Sequence, residues 1–188
     1  MSDSSAAADR DIVTVLTDDH MQIDQLFASF YSANSSDKER EDALHGLIKL
    51  LSQHATAEEE VLFPFVTKTL PNGNQLVEEA KELHQLVKQT LSVIDGMSTD
   101  DPMLTEAMGI LHKGVMTDAT EEEALMLPQL VANSEESART KVGGMFLAAK
   151  LAAPTRPHPW VPNNAAANLV AGAVAAPIDR LRDLVSRR

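Results

Sequence analysis

Apolar residues recur at alternating three- and four-residue steps along four long stretches of this chain, the spacing of one face of an α-helix. The first stretch places Val13, Leu16, His20, Ile23, Phe27 and Phe30 on one line. The second places Leu44, Leu47, Leu51, His54, Glu58, Val61 and Phe65, the third Val77, Ala80, His84, Val87, Leu91 and Ile94. The fourth places Leu104, Met108, Leu111, Val115, Asp118, Glu122, Leu125 and Gln129. The alternation of β-branched and polar residues that marks strands is missing. The pattern predicts helices over Asp11 to Ser32, Asp37 to Leu70, Asn74 to Met97 and from about Pro102 to Ala132, the last interrupted near Pro128, with a shorter one from Ser137 to Lys150. Ser36 is the expected N-cap of the second helix and Pro64 its expected kink, while Pro71-Asn72-Gly73 reads as a turn. Asp100-Asp101-Pro102 reads as a cap followed by a proline in the first turn. These elements make an all-α four-helix bundle.

Each seam is apolar except near its middle, where it carries His20, His54 with Glu58, His84, and Asp118 with Glu122. The seams also repeat. Adding 64 to His20 gives His84, to His54 gives Asp118, to Glu58 gives Glu122 and to Pro64 gives Pro128, so HATAEEEVLFP (54–64) aligns without a gap on DATEEEALMLP (118–128). Two related helix pairs would build a pseudo-twofold site, one half from each pair. A charged carboxylate in an apolar core costs several kcal/mol, roughly, or is driven neutral. Three imidazoles do not obviously neutralise this many acids, whereas one or two divalent metals would. His54 and Glu58, like Asp118 and Glu122, are four apart and project from one helix face. The candidate metal ligands are therefore His20, His54, Glu58, His84, Asp118 and Glu122. His45 and His112 lie off the seams, and Glu59, Glu60, Glu121 and Glu123 read as solvated faces, with Glu59 or Glu123 able to support the ligands from behind.

Composition narrows the ligand chemistry. The 188 residues contain no cysteine, which leaves His, Asp and Glu as the strong metal ligands. The net charge of −12 is uneven: residues 1–150 hold 26 acidic and 11 basic side chains, residues 151–188 two and five. An acidic body argues against nucleic-acid binding. The polar start is unlike a signal peptide, and the longest apolar run, Ala165 to Ala176, is too short to span a bilayer, so a cytoplasmic protein is expected. The chain divides into a flexible N-terminus (1–10), the bundle (11–150) and a tail (151–188). In the tail Pro154, Pro157, Pro159 and Pro162 form a linker around His158 and Trp160, before a last helix over Ala165 to Ser186 that Pro177 should break.

The segments DDHMQIDQLF, HATAEEEVLFP, KELHQLV and TDATEEEALMLP resemble the hemerythrin-like, or HHE cation-binding, family over roughly residues 11–132. The linker APTRPHPWVPNN and the closing DRLRDLVSRR resemble the C-terminal extension of its actinobacterial members. The resemblance implies an up-down four-helix bundle that holds two non-haem iron ions joined by carboxylates and an oxo or hydroxo bridge, although Mn or Zn suit the same donors. It implies His20, His54 and His84 as terminal ligands and Glu58 and Glu122 as bridging carboxylates. Asp118 stands where the family usually has a His, and Lys88 where oxygen carriers commonly have a further one. A site poorer in imidazole favours the ferric state and leaves reversible O2 carriage in doubt. The expected role is binding of, or reaction with, O2, peroxide or NO in sensing or protection, by a monomer or weak dimer. The alternatives are a di-iron enzyme that disproportionates peroxide and a metal-stabilised interaction module that works through its tail.

Overall fold

The computed structural model describes residues 10–159, 175–180 and 183. Seven named α-helices and two π-helical turns make up the body: α1 (Ile12–Tyr31), α2 (Asp37–Ala57), π1 (Glu58–Leu62), α3 (Phe63–Thr69), α4 (Gly73–Ile94), α5 (Leu104–Glu121), π2 (Glu122–Met126), α6 (Leu127–Asn133) and α7 (Glu136–Ala152). The rods α1, α2-π1-α3, α4 and α5-π2-α6 form the all-α bundle. Helix α1 lies on α2, and α4 lies on α5. Short connections force successive rods antiparallel.

Local chemistry sets the helix starts. Asp11 accepts from the Val13 N–H at 2.9 Å. Ser36 forms a capping box, with its hydroxyl accepting from the Glu39 N–H and its own N–H donating to Glu39. Pro102 lies in the turn before α5 rather than in its first turn. There the Asp101 carboxylate accepts from the Met103 N–H at 2.8 Å, and the helix begins at Leu104.

Neither proline expected to interrupt a rod breaks it. The irregularity comes one turn earlier, as π1 before Pro64 and π2 before Pro128, with the Phe63 N–H bonded to the Glu58 carbonyl and the Leu127 N–H to that of Glu122. A π turn inserts one residue, and each residue of a helix advances about 100° around the axis, so the inward face shifts beyond it. Seam positions fail accordingly. Leu125 is 52 % exposed and Val61 and Phe65 are half-buried, whereas Leu62, Phe63, Val66, Met126, Leu127 and Leu130 are buried.

Two apolar clusters fill the bundle, one on each side of the polar layer. One holds Ile23, Phe27, Leu47, Leu91 and Met108. The other holds Ile12, Leu16, Leu62, Val66, Leu130 and, from α7, Val142 and Phe146. Helix α7 is thus part of the core and packs across α1, α2 and π1. Arg139 ties it to the Asp11 cap at 2.7 Å. Gly143 is required here, because a Cβ would fall on the Arg10 carbonyl oxygen. Gly143→Ala is expected to cost about 1–3 kcal/mol by overpacking. Thermal unfolding reads this, and an unchanged midpoint would show that α7 can slide from α1 at no cost.

Beyond α7 the chain turns back onto the bundle. Arg156 pairs with Asp95 at the end of α4, and Gln85 donates to the Pro159 carbonyl at 3.3 Å. Residues 175–180, Pro177 among them, are helical. His158 bonds Asp179 at 3.0 Å. The flexible N-terminus expected over 1–10 falls, apart from Arg10, outside the described residues. So do Trp160, the rest of the linker and most of the last helix. Among the described residues no helix is long and apolar enough to cross a membrane.

Candidate metal centre

The polar seam residues meet in the middle of the bundle. Donor atoms of His20, His54, Glu58 and Glu122 lie within 4.8 Å of one another, and so do those of Glu58, His84 and Asp118. Glu58 belongs to both groups. One of its oxygens is 2.9 Å from His54 Nε2 and the other 3.1 Å from His84 Nε2. His20 Nε2 is 3.3 Å from Glu122, and His84 Nε2 is also 3.3 Å from Asp118. All six candidate residues are therefore brought together, with Glu122 on the side of His20 and His54.

The three rings are aimed from behind. His54 Nδ1 bonds Asp19 at 3.0 Å, His84 Nδ1 bonds Glu59 at 2.9 Å, and His20 Nδ1 bonds Glu123 at 2.7 Å. A proton on Nδ1, donated to a carboxylate, leaves the Nε2 lone pair facing the cluster. Glu59 and Glu123 are 64 apart, and each holds the His of the other repeat. Lysines anchor two of these acids in turn: Lys150 of α7 is 2.6 Å from Asp19, and Lys88 of α4 is 2.8 Å from Glu59. Burial raises the pKa of both acids by itself, but the His and Lys partners outweigh it and hold both below the ordinary range.

Asp19 and Lys150 are not legible in the sequence as part of the site, and Lys88 is legible only as standing where oxygen carriers have a further His, not as the partner of Glu59. Lys150 comes from a helix outside the four seams, and only its packing brings it to Asp19. Glu59 was expected on a solvated face, with a supporting role held open. It is 2 % exposed, because the π turn widens the helix just where Glu58 and Glu59 both turn inward. His45 is exposed, and His112 stacks on Phe27 at 4.3 Å, away from the cluster.

The polar atoms at the centre are not satisfied by one another. Both oxygens of Glu58, both of Glu122 and Nε2 of His84 are buried without a hydrogen bond of acceptable geometry, although their neighbours are close. Lone pairs converging without a donor between them are the arrangement that ligands of a shared cation adopt. In the absence of metal, protons take its place. Burial alone would lower His54, but the charge of Glu58 and the Asp19 contact outweigh it and raise the group to about 10. Burial and then the Glu58 charge push Glu122 up to about 8. The donor set, imidazole and carboxylate without sulfur, suits Fe, Mn or Zn.

A family model for the hemerythrin HHE cation binding domain matches residues 11–130. The chain belongs to this family. It is 29 % identical over 170 residues to an uncharacterised hemerythrin-like protein of Schizosaccharomyces pombe, covering 90 % of this chain and 83 % of that one. It is also 28 % identical over 152 residues to a DNA nickase of Nostoc, covering 80 % of this chain but 42 % of that protein. No solved structure gives a significant match. The hemerythrin-like bundle thus presents its buried His, Glu and Asp clusters as a metal-binding domain.

Proposed function

We propose that this hemerythrin-like domain holds a non-haem di-iron centre that binds or reacts with O2, peroxide or NO in a sensing or protective role. His20, His54, Glu58 and Glu122 would hold one ion and Glu58, His84 and Asp118 the other, with Glu58 shared. The observation that carries the reading is the set of converging donors: both oxygens of Glu58, both of Glu122 and Nε2 of His84 are buried without a hydrogen-bond partner, within the two donor groups that share Glu58. The space that His20, His54, Glu58, His84 and Asp118 enclose measures about 20 Å³, has an apolar wall of Ile23, Leu51, Val87, Val115 and Ala119, and is the size of an ion or one small molecule.

When bound, iron supplies one-electron redox chemistry and Lewis acidity at positions the protein leaves open. The protein's own residues do the rest. Asp19, Glu59 and Glu123 fix the imidazole tautomers, and Lys88 and Lys150 keep two of those acids charged. The apolar wall keeps bulk water from the open positions. A body that carries 26 acidic side chains against 11 basic ones over residues 1–150 repels polyanions, so DNA is not inferred as a partner despite the name of the Nostoc relative.

The test is metal content and visible spectrum of protein from iron-supplemented cells. Iron filling both subsites, with near-ultraviolet bands that move on adding azide or peroxide, is expected. A stable helical protein that holds iron in neither subsite would sink the proposal.

Asp118→His tests the departure from the usual ligand set. Exchanging an anionic ligand for a neutral one removes stabilisation of the ferric state, so the reduction potential should rise, with no loss of metal. An unchanged potential and unchanged azide binding would mean that Asp118 does not reach the metal.

A further inference from the structure

The repeat that builds the centre is broken on its two flanks. On the first flank, Val15 and Ala57 lie beside the site and are buried at 1 % and 0 % exposure under α7, in one cluster with Val142 and Phe146. That flank also carries the Lys150 ammonium. Sixty-four residues later, Glu79 stands in place of Val15 and Glu121 in place of Ala57. No described helix covers them, and both are exposed.

Between α4 and π2 these two acids rim an opening in two stages. The outer one is a concavity of about 340 Å³, lined among the described residues by Glu79, Glu82, Leu83, Glu121 and Leu125, none of them basic. The inner one measures about 20 Å³, shares Glu79, Glu121 and Leu125 with the outer, and ends on Asp118 and Glu122. Glu122 is 2 % exposed, and both of its oxygens lack a hydrogen-bond partner. An acidic mouth thus leads to a buried, unsatisfied carboxylate.

We infer that this opening is the route by which divalent cations enter the centre. The inference rests on the metal reading above. The outer stage is wide enough for a hydrated ion, and the inner one admits about one water-sized body. An ion would gather at Glu79, Glu82 and Glu121, then exchange water for the carboxylate oxygens of Asp118 and Glu122. Clefts of one sign between low-dielectric walls raise on-rates by roughly ten-fold or more, and the gain falls with salt. The α7 flank offers the opposite: apolar cover and a cation.

The experiment mixes metal-free, full-length protein with Co2+ alone at low ionic strength and follows the growth of its visible absorption. The variant Glu79→Gln/Glu82→Gln/Glu121→Gln should load about ten-fold more slowly and with weaker salt dependence, yet reach the parent's final cobalt content. Asp24→Asn/Glu41→Gln/Glu106→Gln removes the same charge from exposed positions elsewhere and should load at nearly the parent rate. Leu125→Trp, at the neck shared by both stages, should slow loading by obstruction without lowering the final content. Circular dichroism confirms that each variant is folded. Equal slowing of the two triple variants, or parent-like loading of both the acidic-mouth and Leu125 variants, overturns the route while leaving the metal reading intact. A parent that takes up no cobalt overturns both.

Discussion

Glu58→Ala is expected to empty both metal subsites in a single substitution. Glu58 is the residue shared by the two donor groups, and it is fully buried between the His54 and His84 rings. Without it one group keeps His20, His54 and Glu122, and the other keeps only His84 and Asp118. Removing a ligand also removes a charge from a low-dielectric site, where an ion depends on carboxylates for neutralisation. Asp118→Ala should empty only the His84 subsite, and His20→Ala should weaken only the other. Metal analysis of the three variants, each checked for helical content, decides the matter. Glu58→Ala protein that retained one full equivalent would show that the subsites do not depend on a common carboxylate.

Removing the metal should make the domain less stable, and increasingly so as pH rises. Metal that binds only the native state stabilises it by about 4 kcal/mol at a thousand-fold excess over Kd. For a chain of this size that corresponds to a fall in Tm of roughly 10 °C on chelation. The pH dependence follows from the protons that replace the metal. Glu122 is raised from 4.5 to about 8 and His54 from 6.5 to about 10. The folded metal-free protein therefore holds these protons more tightly than the unfolded chain does. Their contribution is complete below the unfolded values and is lost as pH climbs, across 4.5 to 8 for Glu122 and 6.5 to 10 for His54. His20 and His84 are raised too, because carboxylate contacts outweigh the lowering effect of burial, and they act in the same direction. Glu58, in which the imidazole contacts outweigh burial, is lowered, so its window lies below 4.5. From pH 6.5 to 8 the metal-free protein should lose on the order of 2 kcal/mol per pH unit from Glu122 and His54 together. The metal-loaded protein should lose less, since the ligands are already deprotonated. Calorimetry of both forms across this range checks the sign. A metal-free Tm that rises with pH would show that the buried groups are not protonated as the geometry demands.

The sequence by itself determined the helices, the Ser36 N-cap, the polar layer and the six residues that meet in it. These are local or periodic properties: a cap acts within one turn, and a seam follows from 3.6 residues per turn wherever the rod is regular. The 64-residue repeat added which segments belong together. Tertiary structure alone decided the rest. The π turns before Pro64 and Pro128 moved the buried face from Leu125 to Met126 and turned Glu59 inward, a change of phase that no regular template carries. Packing of α7 brought Lys150 to Asp19, 131 residues away in sequence, and covered one flank of the centre while the other stayed open and acidic. Glu58 and Glu122 are equivalent in the repeat, yet only Glu58 belongs to both donor groups. Symmetry of sequence is written residue by residue, but its breaking depends on which surfaces a distant helix covers, and that is settled only when the chain has packed.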